Sequence, residues 1–314
     1  MPPDIAVVIP THGRPQKTQR AIRSAIAQDG IRAEIVVVDD ASPEPFGLTR
    51  ELAGAGVQVV RLPRNGGPAA ARNAGVEASR APIIAFLDSD DFLLPDSLAP
   101  RLAAFEKISR DERPVLLAAT VWRWLPGQSA QAFTPVEAST VEAFASGCWY
   151  FPGSTSVFSR VTWRRVGPLD AQLRRLEDLD WGIRLALAGG VLRVTSAPAS
   201  VIERSPRASL ARVNEASAAL LSRHARGADQ ALARAALARL KAYLALERAS
   251  SALGEGRIAS FAVNLAASIL HRPRLSLHQE NWWRRRVGSK GELAAIEALA
   301  KSLAAGASTE AAEA

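Results

Sequence analysis

One cysteine, Cys148, stands in a chain of 314 residues. A lone cysteine excludes a disulfide framework and any cysteine-rich metal site, and a small buried hydrophobe is the expectation for it. No apolar run approaches the ~18 to 20 residues needed to span a bilayer. The start, Met1, Pro2, Pro3 and Asp4, lacks a basic segment leading into an apolar stretch. No secretory signal is therefore expected, and the cytoplasm is the default compartment. A GxGxxG turn is also missing: Pro10, Thr11, His12 and Gly13 follow the first apolar run instead, which disfavours a dinucleotide-dependent oxidoreductase. Residues 1–203 lack net charge, with 22 basic and 22 acidic side chains. All of the +8 lies in residues 204–314, where 17 basic side chains face 9 acidic ones. A basic region of this kind suits a membrane surface, a nucleic acid or an anionic ligand.

Short apolar runs at residues 5–9, 34–38, 57–61 and 82–87 read as buried strands. Helical stretches over about 15–28, 45–54 and 67–79 lie between them. Strand and helix alternating at this spacing predict an α/β fold, a mostly parallel sheet flanked by helices, Rossmann-like in its first half. Ligands bind such sheets at the carboxyl ends of the strands, and the polar clusters fall there: Thr11 to Arg14, Asp39 to Ser42, and Asp88 to Asp91. Residues 110–170 are less regular and hold Trp122, Trp124, Trp149 and Trp163, read equally well as lining an acceptor pocket or as core. A helix is expected over 176–188, opened by Glu177 and Asp178. Beyond about 211 the chain is rich in Ala, Leu and Arg, which predicts two or three helices and a frayed tail over 303–314.

Asp88, Ser89 and Asp90 are the sharpest chemical feature. Two carboxylates at i and i+2 in a tight turn can serve one hard divalent cation, such as magnesium or manganese. The bland alternative is an Asp/Ser loop before the next helix. The triplet does not stand alone. VVIPTHGR (7–14), IVVVDDAS (35–42), NGGPAAARN (65–73) and FLDSDD (86–91) occur in order, followed by LEDLDW (176–181). On these motifs the chain resembles the family-2 glycosyltransferases, over about residues 4–210. The resemblance implies the nucleotide-sugar-binding GT-A fold, with residues 211–314 as a basic helical C-terminal extension.

It further implies inverting transfer of a sugar from a nucleoside-diphosphate donor to an acceptor hydroxyl on a glycan or a lipid-linked carrier. No nucleic-acid partner is expected. Carried over position by position, Thr11, Asp40, Arg72 and Asp88 would bind the donor nucleotide, and Asp90 with Asp88 would hold magnesium or manganese. Asp40 as acceptor of a ring N–H favours UDP or dTDP, while Asp39 braces the loop. Asp178 is the candidate general base, because an attacking hydroxyl needs somewhere to send its proton. Asp180 is placed to pair with Arg184 at i+4. The chain also departs from the family pattern. His12 stands where Tyr is frequent, and Arg204, Ser205 and Pro206 stand where many members carry Arg-x-His. Closure over the diphosphate would then fall to Arg204 or Arg207. A nucleotidyltransferase is disfavoured by the missing glycine-rich basic loop. The remaining alternative is a degenerate transferase-like domain that binds a nucleotide or polyanion. Paired Trp282 and Trp283 beside Arg284, Arg285 and Arg286 suggest peripheral contact with an anionic membrane, or simple packing onto the catalytic domain.

Overall fold

The computed structural model describes residues 1–109, 113–204, 208–226, 232–272 and 283–305. Its first half alternates as the sequence predicts: β1 (Ile5–Thr11), α1 (Pro15–Ile26), β2 (Ala33–Asp39), α2 (Arg50–Gly54), β3 (Gln58–Arg61), α3 (Gly67–Ala78) and β4 (Ile83–Phe86). After a short β5 (Phe92–Leu93) come α4 (Leu98–Ile108), β6 (Val115–Leu125), β7 (Ser129–Pro135), α5 (Val141–Phe144), α6 (Pro152–Thr155), β8 (Val157–Ser159) and α7 (Arg160–Val166). Helix α8 (Glu177–Leu187) and the long β9 (Val191–Glu203) complete this part. Beyond it lie α9 (Leu210–Arg226), α10 (Arg234–Gly254), α11 (Ile258–His271), β10 (Trp283–Val287) and α12 (Lys290–Ala305).

β1 is buried along its whole length, so its side chains must satisfy both faces of the sheet. Ile5, Val7 and Ile9 pack with Ala21, Ile22 and Ala25 of α1, while the intervening Val8 lies in the cluster that includes Ala69 and Val76 of α3. Alternation with period 2 thus assigns one helix to each face. β1 pairs in parallel with β2 on one side and β4 on the other, and β2 pairs in parallel with β3. The register sets Thr11 opposite Asp39. The carboxyl ends of β1, β2 and β4 therefore open at one edge, which brings Thr11, Asp40 and Asp88 together although they are far apart in sequence.

The second half of the sheet is mixed. β8 pairs antiparallel with β4 and with β6, while β9 runs parallel to β6 with a register shift near Thr120. Trp122, Trp124, Trp149 and Trp163 are all buried, so they are core. The pocket-lining reading of these tryptophans does not hold. Trp163 stacks on Phe158, and Trp149 donates its indole N–H to the Val136 carbonyl.

The C-terminal region is helical but not only helical. β10 adds antiparallel to β7 as an edge strand, with Arg284, Arg285 and Arg286 exposed. Charged side chains on an edge strand discourage pairing with other chains. Trp283 turns inward, with its indole N–H donating to the Trp149 carbonyl at 2.6 Å and its ring against Phe133 and Phe151. That is the packing reading for Trp283; Trp282 lies outside the described residues. α12 packs against α1, and Ile296, Ala300 and Leu303 join a cluster with Trp122 and Trp124. The tail beyond residue 305 is likewise outside the described residues. No helix among the described residues is long and apolar enough to cross a membrane.

Candidate active site

A cleft of about 1260 Å³ opens at the carboxyl edge of the parallel strands. Thr11, Asp40, Arg72, Asp88, Asp90 and Asp178 all line it, so these six sequence-derived site residues reach one cavity. The loops that carry them are tightly held. Leu176, which lines the cleft, has a positive φ of 64°, and Ala41, directly after the cleft-lining Asp40, has one of 52°. Left-handed backbone at such residues costs on the order of 1 to 3 kcal/mol and persists where the surroundings over-determine it.

At the carboxyl end of β2, Asp39 and Asp40 hold different partners. Asp39 is buried and accepts from the backbone N–H groups of Ser42 and Phe46 and from Arg61, which makes it the brace of the loop. Burial alone would raise its pKa, but these hydrogen bonds outweigh burial and hold it below the ordinary value. Asp40 accepts from the N–H groups of Gly66 and Gly67 at 2.6 and 2.8 Å, at the start of α3. Its carboxylate thus occupies the positive end of that helix. His12 contacts the Asp40 carbonyl at 3.0 Å through Nδ1, and Arg174 bonds Asn65 at 2.6 Å. The Thr11 hydroxyl lies 2.6 Å from that of Thr18.

The acidic triplet sits where β4 ends. Oxygens of Asp88, Asp90 and Asp91 lie within 4.8 Å of one another. Asp91 is the buried member; its two oxygens accept from the Ser154 hydroxyl and the Glu203 N–H, so it braces the turn and caps no helix. Burial, then repulsion from Asp88 and Asp90, pushes its pKa well up. Asp90 pairs with Arg14 at 2.6 Å, on the exposed rim. Asp88 lies against Gly153, where any Cβ would come within 2.1 Å of its Oδ2. Three crowded carboxylates, all hard oxygen donors with mutual repulsion to relieve, fit magnesium or manganese. Asp91 is held by the protein through both oxygens, whereas Asp88 and Asp90, which hold Arg72 and Arg14, line the cleft and could also face an ion.

Arg72 is buried on α3 and joins two parts of the site. One nitrogen donates to Asp88 at 2.6 Å and the other to Glu177 at 2.7 Å. Burial works against its charge, but Asp88, Glu177 and Asp178 more than compensate and raise its pKa. Arg72 is therefore no solvated helix-surface residue. Glu177 and Asp178 open α8, where acidic residues meet the positive end of the helix dipole. Glu177 is buried, and burial with the neighbouring Asp178 lifts its pKa to about 7 against the opposing pull of Arg72. Asp178 is half-buried and faces the cleft. Asp180 pairs with Arg184 at 2.8 Å, as the i+4 spacing predicts, and with the buried His224 at 2.9 Å.

Sequence reasoning missed several residues here. Cys148 is not simply buried: it is half-buried and lines the cleft, and burial followed by the charge of Asp178 pushes its thiol pKa well up. Tyr243 and Glu247 come from α10, in the region that carried no motif. A faint signal existed, because Tyr243 is one of two tyrosines in the chain and sits in a helix of Ala and Leu. Arg204 lines the cleft; Arg207, the other candidate for the diphosphate, lies outside the described residues.

A parallel half-sheet ending in an acidic triplet, joined to a mixed half that brings a second acidic pair across the cleft, is the GT-A arrangement of nucleotide-sugar enzymes. Residues 6–111 match the family described as Glycosyl transferase family 2. The chain is 37% identical over 140 residues to the succinoglycan biosynthesis protein ExoO of Rhizobium meliloti, covering 43% of this chain and 38% of ExoO. It is 30% identical over 203 residues to the pre-mycofactocin glycosyltransferase of Mycobacterium tuberculosis, covering 60% of this chain and 40% of that protein. The chain thus spans about two fifths of the length of these curated relatives. Among solved structures, TarS 1-349 of S. aureus in complex with UDP-GlcNAc superposes with a TM-score of 0.59 at 17% identity, covering 86% of this chain and 82% of that one. At that identity the likeness speaks to the fold.

Proposed function

We propose that this chain transfers a sugar, with inversion, from a nucleoside-diphosphate donor to an acceptor hydroxyl, with Asp178 as general base. The observation that carries the reading is the double ion pair of Arg72, which ties donor-side Asp88 to Glu177 beside Asp178 in one cleft. In a single displacement the acceptor oxygen bonds to the anomeric carbon as the bond from that carbon to the diphosphate oxygen breaks. The bonding electron pair leaves with the diphosphate, and the hydroxyl proton passes to Asp178. Thr11, Asp40, Arg72 and Asp88 form the donor side. Magnesium or manganese held by Asp88 and Asp90 supplies, when bound, positive charge against the departing diphosphate. A ring N–H presented to Asp40 suits UDP or dTDP, and the UDP-GlcNAc complex of TarS supports a nucleotide sugar as donor. The part played by ExoO in succinoglycan biosynthesis supports a glycan acceptor.

Residues 1–210 form the catalytic domain in this reading, and residues 211–314 are a basic helical region. That region supports peripheral attachment at the inner face of the cytoplasmic membrane, near a lipid-linked acceptor. α11 exposes Ile258 (63%), Val263 (69%) and Leu270 (83%), and β10 exposes three arginines.

Nucleoside-diphosphate release from a panel of UDP-, dTDP- and CDP-sugars tests the proposal. UDP or dTDP sugars should turn over with manganese and stop in excess chelator, as they should with Asp90→Ala. Asp178→Asn should keep donor affinity while turnover falls by about 10² to 10⁴, the usual general-base contribution. Undiminished release in chelator would remove the metal from the mechanism. Lost donor binding with unchanged saturated turnover would remove Asp178 as base. No release from any nucleotide sugar would overturn the reading as a whole.

A further inference from the structure

The cleft extends well past Asp178. Its far wall is built by the C-terminal helices: Arg212 and Glu215 from α9, Tyr243 and Glu247 from α10. Arg175, three residues before Asp178, meets that wall. Its guanidinium bonds Glu247 Oε2 at 2.9 Å, while the Tyr243 hydroxyl donates to Glu247 Oε1 at 3.0 Å. Glu247 therefore joins the loop before α8 to α10, and the two partners remain 38% and 23% exposed on their side chains. The Arg175 Nε is buried without a hydrogen-bond partner.

We propose that this wall is the acceptor subsite and that it holds the end of a neutral, polyhydroxylated glycan through Arg175, Tyr243, Glu247 and Arg212. The inference rests on the transferase reading, since it takes Asp178 as the point at which the acceptor hydroxyl is deprotonated. Three features choose the ligand class. The wall holds both carboxylates and guanidinia, and vicinal sugar hydroxyls both donate to the first and accept from the second. An anionic acceptor end would meet Asp178, Glu215 and Glu247 as well as Arg175 and Arg212, so a charge on the ligand brings no net advantage over neutral hydroxyls. An alkyl chain would cover these groups without satisfying them, and burying unpaired polar groups is unfavourable. Specificity for the acceptor then resides in the region without family motifs, while the donor is handled by the motif-bearing half.

Saturation-transfer NMR on the full chain in the presence of UDP and manganese tests this, with neutral disaccharides, glucose 6-phosphate and octanol as probes. UDP affinity is measured in parallel by calorimetry. At least one neutral disaccharide should bind the wild type, and Glu247→Gln and Tyr243→Phe should each weaken it tenfold or more with UDP affinity unchanged. Arg212→Ala, at an exposed position outside the Glu247 network, should weaken it severalfold and keeps the test alive should the α10 variants misfold. Disaccharide binding unaltered in correctly folded variants would overturn the subsite. So would binding of glucose 6-phosphate or octanol in place of every disaccharide. Absence of UDP binding by the wild type would instead strike the underlying transferase reading.

Discussion

Glu177 and Asp178 are adjacent on the first turn of α8, yet their surroundings differ. Glu177 is buried against Arg72, whereas Asp178 faces the cleft beside Cys148 and Tyr150. The difference suits Glu177 to orienting the site and Asp178 to meeting an acceptor. It also makes stability depend on pH. The folded-state pKa of Glu177 is raised from 4.5 to about 7, so its protonated form is the one the fold favours. A group with a raised folded pKa contributes stability in full below its unfolded value and loses it as pH climbs through the folded one. Between pH 4.5 and about 7 the wild type should therefore lose stability relative to Glu177→Gln, which has no charge to bury. Urea midpoints for both proteins across that range check the expectation, and parallel pH profiles would contradict it.

Among the elements, α3 carries an unusual share of the site. Its start holds Asp40, its interior delivers Arg72, and its underside must lie close on β1 for either to reach the cleft. Gly75 permits that approach, since a Cβ there would stand 2.3 Å from Val8 Cγ1 and 3.1 Å from a Val38 methyl. Alanine would ordinarily favour a helix over glycine by about 1 kcal/mol. Here overpacking, typically about 1 to 3 kcal/mol, should win, because Val8 and Val38 are fully buried. Gly75→Ala is thus expected to lower the denaturation midpoint. A raised midpoint would mean that the helix is free to lift from the sheet.

Across the molecule, the net positive charge and, among the described residues, the exposed large apolar side chains both concentrate in the C-terminal third. Full-length protein should co-sediment with anionic liposomes at low salt, less so as salt rises, and weakly with neutral ones, because each basic side chain near such a surface is worth about 1 kcal/mol and is screened by salt. Replacing Arg284, Arg285 and Arg286 by Ser should lower binding, as should Val263→Ser with Leu270→Ser on α11. No sedimentation at low salt, or binding indifferent to lipid charge, would leave the basic third as a packing and acceptor-binding region.

The alternation of apolar runs with helical stretches was enough to read the parallel half-sheet, and the strand-end polar clusters were enough to locate the cleft. Both are local patterns: a buried parallel strand must be apolar throughout, and its functional residues must follow it directly. Even the split between Asp39 and Asp40 follows from consecutive residues pointing opposite ways. Other features had no local signature. Arg72 looks like any helix-surface arginine until α3 docks and brings Asp88 and Glu177, 16 and 105 residues away, to its two nitrogens. The tryptophans of the mixed half could as well have lined a pocket as filled a core, and only the packing of β6 against β8, β9 and α12 settled it. Trp283 and its arginines read as a surface motif, but the edge of the sheet offered unpaired backbone and the segment became β10. The far wall of the cleft was the least legible part, because Tyr243 and Glu247 acquire their place only when α10 packs against α5 and meets the loop before α8. Short-range order is written in residue spacing, whereas contacts between distant segments depend on how whole elements pack.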